Sequence, residues 1–342
     1  MNRRPRFPIL RVDNVVFREI ISNIAPMDLA SLAQSSKHCQ QNIRSNKSIF
    51  SALNIAILFH EDEPVQLELS FKESSYEDDE IEDSEDESED SDNTQDRIRY
   101  YLYAYTESGE MIPMSTEDVI KYFTFFCDLL IRDNSISKLS IYLWTGDLVK
   151  IFNWISTRQE SVKKCDIYLN HIKDSDLDYF LGNVRVSHYL GMNVLPSLEY
   201  RAQCYQQVNI INCLNAFWWR LEHCLMFDCK DMNLEDTHLT NDNIVWLLEC
   251  WMDGSGLKRL ENMSIDGNNL DRNVITNKVD HVLLDRKAIL AFSELVFTEN
   301  VIGGALIERH DGVKAVIPFP ELDHSPLYQF ELNVVVKQIE KD

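Results

Sequence analysis

The chain has 342 residues, 44% of them hydrophobic and 10% aromatic, enough for a sizeable core and a prior of two or three domains. It carries 33 Lys and Arg against 56 Asp and Glu, a net charge of -23. That balance lacks the clustered cations that neutralise phosphates, so nucleic acid is not an expected ligand.

The first element lies almost at the first residue, in "FPILRVDNVVFREII", residues 7–21. Arg11, Asp13 and Asn14 interrupt its apolar positions, so a secretion signal is not expected. At helical spacing Val16, Phe17, Ile20, Ile21 and Ile24 fall on one arc and Arg18, Glu19, Ser22 and Asn23 on the other, which predicts an amphipathic helix. Val15 alone falls amid the polar arc. Asp13 or Asn14 is suited to cap the helix start, where a short side-chain oxygen accepts from an unpaired amide. A second helix follows in "IAPMDLASLAQSSK", with Pro26 at a first helical position and Asp28 in the first turn. A third, from about Lys37 to Asn46, completes a unit of residues 1–50. So small a unit should lean on a partner or on the rest of the chain.

Residues 51–71 read as a connector, and residues 72–97 as an acidic disordered insertion. "EDDEIEDSEDESEDSD", Glu77 to Asp92, has Ile81 as its only apolar residue and accounts for much of the charge; without its carboxylates the net is -11. Such a run repels itself and stays solvated. Ser74, Ser75 and Ser84 each have an acid three residues on, the pattern of an acidophilic casein-type kinase; a plain charged spacer is the other reading.

Residues 98–342 read as mixed α/β. Helices are expected over Glu117 to Ile131, Asp174 to Leu181 and Thr240 to Trp251. "LENMSIDGNNL" sets Leu260, Met263, Ile265, Asn268 and Leu270 at leucine-rich-repeat offsets, and "VKKCDIYLNHI" repeats this from Val162. "LEHCLMFDC", from Leu221, and "ISKLSIYLW", from Ile136, keep it in part. The starts at 136, 162, 221 and 260 are unevenly spaced, so the expected fold is an irregular leucine-rich-repeat-like α/β domain. A generic α/β domain containing such strands is the alternative.

Eight cysteines are scattered without a CxxC pair and read as reduced, buried thiols of an intracellular protein. Cys213, His223, Cys224, Cys229 and His238 lack zinc-site spacing, and no metal or other cofactor is expected. P-loop, nucleophile-elbow and H-E-x-x-H patterns are missing, so phosphoryl transfer and common hydrolysis have no support. The most apolar later segment, "YFTFFCDLLI", is ten residues long and carries Asp128, too short to span a bilayer.

Residues 6–46 resemble an F-box: Phe7-Pro8-Ile9-Leu10, then Val16, Ile20, Ile21 and Ile24, then Pro26, Asp28, Leu29, Leu32 and Ser35-Ser36-Lys37. Asp13 departs from the Leu-Pro pair of that family. "LTNDNIVWLLECW", "GLKRLENMSI" and "ERHDGVKAVI" resemble the F-box-associated domain of nematode F-box proteins. The resemblance implies a three-helix F-box that docks a Skp-family adaptor and through it a cullin. It also implies a C-terminal domain that presents an unknown protein substrate for ubiquitination, in cytoplasm or nucleus, without catalytic residues. The adaptor-facing set it implies is Phe7, Pro8, Leu10, Val15, Ile20, Ile24, Pro26 and Leu29, some of which also serve the small core. A ligase-independent interaction scaffold is the other functional reading.

Overall fold

The computed structural model describes residues 16–17, 20–21, 24, 26–45, 50–60, 63–73, 98–102, 115–130, 136–142, 146–202, 205–267, 270–292, 301–320 and 329–335. Two compact units divide at Gln159 and Glu160.

The first unit opens with helices α1 (Pro26–Ser35) and α2 (Lys37–Ser45). The hydroxyl of Ser36, between them, accepts from the amide of Cys39 at 3.1 Å and starts α2. Phe17, Ile21, Leu29, Ala30, Ala33, Cys39 and Ile43 are buried. α1 and α2 lean on α3 (Thr116–Leu130), the support within the chain that their small size demands. α3 in turn packs on α4 (Leu148–Arg158), where Trp154 Nε1 donates to Thr124 Oγ1 at 2.9 Å and Arg158 meets Asp128 at 2.8 Å.

The unit's strands are β1 (Phe50–His60), β2 (Glu63–Glu73), β3 (Ile98–Leu102) and β4 (Ile136–Tyr142), in the order β4-β1-β2-β3. β1 pairs antiparallel with β2 and parallel with β4, and β2 pairs antiparallel with β3. This corrects the reading of 51–71 as a connector, because both long strands occupy it. The signal was in the sequence: Val65, Leu67, Leu69 and Phe71 alternate with Gln66, Glu68, Ser70 and Lys72, the period of a strand. The compact boundary therefore falls after residue 159 and not at 97, since β3, α3, β4 and α4 belong with the first unit.

In the second unit β5 (Val162–Leu169), β6 (Val186–Val194), β8 (Ile210–Leu214), β10 (Asp231–Thr237) and β11 (Asn262–Gly267) run parallel, each beside the next. β7 (Gln206–Gln207) and β9 (Phe227–Asp228) form a separate short pair. β12 (Val282–Asp285), β13 (Val301–Glu308), β14 (Lys314–Pro320) and β15 (Gln329–Val335) extend the sheet antiparallel beyond β11, giving the order β12-β13-β14-β15-β11-β10-β8-β6-β5.

Helices α5 (Asp174–Asn183), α6 (Leu221–Met226) and α7 (Asn241–Met252) join the parallel strands, and α8 (Arg272–Thr276) and α9 (Arg286–Phe292) follow. Connections between parallel neighbours are right-handed as a rule, so successive ones return on the same face of a sheet. That face carries the alternate residues Cys165, Ile167, Leu190, Met192, Ile211, Cys213, Met232, Leu234, Met263 and Ile265, all buried. The stripes Leu177, Phe180 and Leu181 of α5 and Ile244, Leu247, Leu248 and Trp251 of α7 are buried with them.

Three of the four repeat segments coincide with strands, β4, β5 and β11. The fourth does not: Leu221–Met226 is helix α6, and Cys224 lies on a helix and not at an inward strand position. His223 and Cys224 are consecutive and both buried, which alternation in a half-exposed strand forbids. The second unit is mixed α/β, without the even repeat that the spacing had raised.

Candidate functional site

The opposite face of the second unit's parallel sheet carries the other set of alternate residues. Register fixes its rows: Lys164, Tyr189, Ile210, Asp231, Asn262 and Asn333 lie side by side across six strands. The next row is Asp166, Gly191, Asn212, Asn233, Ser264 and Glu331. Most of these side chains are half-buried, in contrast to the sealed helical face.

The face is ordered by its own polar groups. Asn233 donates through Nδ2 to Asn212 Oδ1 at 3.2 Å, Asn215 to Asn193 Oδ1 at 2.7 Å, and Asn262 to Asp231. Such amide ladders hold side chains in one rotamer and so prepare a surface for recognition. Gly191, next to Asp166 in its row, lacks the side chain that would keep its neighbours apart. A Cβ there would stand 2.5 Å from Asp166 Oδ1 and 3.0 Å from the Tyr189 ring, so the carboxylate and the ring lie over the glycine. Between β8 and β15 the face has a shallow depression of about 190 Å³, lined by Ile210, Asp231, Asn233, Ser264, Glu331 and Asn333.

A larger hollow, about 430 Å³, opens where β10 ends and α7 begins. Thr240 caps α7, its hydroxyl accepting from the Asn243 amide at 3.3 Å while Asn243 Oδ1 accepts from the Thr240 amide at 3.0 Å. Lys278 pairs with Asp242 at 2.6 Å on its wall. The polar groups here serve the fold's own helix end.

Beneath the sheet lies an aromatic cluster of Tyr200, Trp218, Trp219, His223 and Phe227. The backbone amides of Ala202 and Arg220 point at the two ring nitrogens of His223, at 3.0 and 3.1 Å. A neutral imidazole offers one acceptor to this pair and an imidazolium offers none. Burial above all lowers its pKa to about 4. His223 is thus a neutral residue of the core.

The cysteines follow the same logic. Cys213 Sγ accepts from Trp219 Nε1 at 3.1 Å, and burial raises its pKa; Cys127, Cys224 and Cys229 are pushed up to about 12, also chiefly by burial. They are protonated thiols, unsuited to nucleophilic attack. Among the described residues no group of three or more His, Cys, Asp or Glu could hold a metal, and no helix is long and apolar enough to cross a membrane.

Of the N-terminal docking residues, Leu29 is fully buried, while Ile20 and Ile24 are half-buried. Val16, one turn before Ile20, is 49% exposed. Pro26 starts α1. Phe7, Pro8, Leu10 and Val15 lie outside the described residues, as do Ser74, Ser75 and Ser84. The three later segments that carried the resemblance converge in the second unit: Arg309 of the β13–β14 turn lies over the Trp251 ring of α7 at 5.3 Å and donates to the carbonyl of Lys258. The amide of His310 donates to Met252 O at 2.8 Å. The open sheet face itself had gone unread, because its signal is the polar half of each strand's alternation.

Residues 199–265 match the family model described as F-box associated. They run from Tyr200 of the aromatic cluster through β8, β10 and α7 to β11, so they contain the middle of the open face. No match was found among curated proteins or among solved structures. The match makes this stretch of the second unit similar to F-box-associated domains.

Proposed function

We propose that the chain is a substrate-recognition subunit of a Skp/cullin/F-box-type ubiquitin ligase, of the nematode F-box kind. Its N-terminal helical unit docks the adaptor, and the open face of the second unit's sheet captures the target. It carries no catalytic residues and works by holding the target at high effective concentration near a charged enzyme, in cytoplasm or nucleus. The observation that carries this reading is the F-box-associated match over 199–265, which coincides with strands that present an ordered polar face. The exposed Val16 beside half-buried Ile20 and Ile24 supports it, because an apolar edge left by a folded helix is what an adaptor covers.

The test is co-purification of the full chain with a Skp-family adaptor. Ile20→Asp with Ile24→Asp should lose adaptor binding by at least tenfold while the protein stays folded. Leu29→Asp is uninformative, since a charge at that sealed position unfolds the unit. A wild type without specific binding, or a doubly charged variant that binds equally well, would leave the ligase-independent scaffold as the better account.

A further inference from the structure

We infer, on the reading that the open face is the capture surface, that the target segment it holds is cationic and seats an arginine side chain over Ser264 of β11. Register surrounds Ser264 with carboxylates: Glu331 lies directly opposite on β15, Asp266 two residues along β11, and Asp231 diagonally across on β10. All three are half-buried. Neighbouring strands lie about 4.8 Å apart and residues two along a strand about 7 Å, so a group over Ser264 is within a long side chain's reach of each of them.

The charge on this part of the face is one-sided. In the rows of Asp231 and of Ser264, the positions on β8, β10, β11 and β15 hold no lysine or arginine. Lys164 stands at the far end of its row, three strands from Asp231. Lys230, beside Asp231 in the chain, is paired with Glu261 at 2.9 Å, and Arg272 of α8 attracts Glu331 from the border of the patch. Like charges on adjoining strands repel and weaken a sheet, so an arriving cation is favoured by all three carboxylates at once.

The shape of the place selects among cations. The depression of about 190 Å³ over Ser264, the scale of one long side chain, is lined by Asp231 and Glu331 together with Asn233, Asn262 and Asn333. The amide nitrogens of Asn233 and Asn262 already donate to Asn212 and Asp231, so each has its oxygen left to offer. A site of carboxylates, amide oxygens and a hydroxyl is a site of acceptors. A guanidinium carries five N–H donors in one plane and no acceptor, and it can serve groups on neighbouring strands together, whereas an ammonium is a point charge that one carboxylate satisfies.

An array of short random-sequence peptides, probed with the purified full chain, tests this. Bound peptides should be enriched in arginine, and citrulline in its place, which keeps the shape and removes the charge, should cut binding at least tenfold. Asp231→Asn with Glu331→Gln should lose the arginine peptides by at least tenfold while the thermal midpoint stays at or above that of the wild type, because repulsion is removed. Asp231→Lys with Glu331→Lys should turn the preference towards acidic peptides, a reversal that the general acidity of the chain cannot give. Arginine peptides that bind both variants as they bind the wild type overturn the inference. Peptides bound without arginine enrichment, and lost in Ile210→Lys with Ser264→Lys, overturn the cationic target and leave the open face as the capture surface. A wild type that retains no peptide overturns both.

Discussion

At the residue scale, His223 shows how burial decides what a chemistry-bearing side chain can do. In the unfolded chain its pKa is near the ordinary histidine value of 6.5, and in the folded protein it is about 4. The folded pKa is depressed, so the unfolded state binds the proton first as pH falls. Stability that is intact above about pH 6.5 is then lost progressively towards pH 4, by about 3 kcal/mol in total. Urea unfolding followed across that window should show a falling midpoint. In His223→Asn, whose side-chain oxygen still accepts from the Arg220 amide, the fall should be smaller by roughly that amount; an identical slope in both proteins would show that His223 titrates normally. The same burial raises the thiol pKa of Cys213, Cys224 and Cys229, which is why residue types that on paper resemble a metal or nucleophile set form a hydrophobic interior here.

At the element scale, caps and alternation place the structure. α7 is fixed by the reciprocal bonds of Thr240 and Asn243, and it buries six residues against the sheet. Thr240→Ala should cost about 1 kcal/mol of unfolding free energy in a denaturant titration, with little change at the opposite end of the helix. No measurable loss would mean that packing of Ile244, Leu247 and Trp251 alone sets where α7 begins. α5 and α7 were legible because their apolar residues recur at helical spacing, joined at α7 by the Thr240 capping signal, whereas the short α8 and α9 went unread. α6 was not legible: its six residues are too few for a helical period to stand out, and "LEHCLMFDC" scans equally well as an alternating strand until His223 and Cys224 are seen to be buried together.

At the scale of the whole molecule, the two compact units separate the two proposed jobs: the docking helices lie in the first and the open sheet face in the second. The prediction that belongs here divides one function from the other. Ile210→Lys with Ser264→Lys places two cations on half-exposed positions of the open face, so unfolding free energy should change by about 1 kcal/mol or less. Proteins retained by the wild type should be depleted in quantitative mass spectrometry of the variant, while adaptor recovery stays constant. If both losses occur together, or neither does, the face is not the capture surface.

The amino-acid sequence by itself determined the acidic balance, the long helices and the strands at β4, β5 and β11, because each rests on local periodicity or on composition. It also carried the alternation of β2, which was readable although passed over as a connector. The boundary at residue 159, the neighbour of every strand and the division of each strand into a sealed half and an open half were decided only by tertiary structure. Alternation says that a strand has two faces; which face meets helices and which meets water depends on contacts between residues far apart in the chain. The row from Lys164 to Asn333 exists for that reason alone, since six strands must assemble in register before those side chains become one surface.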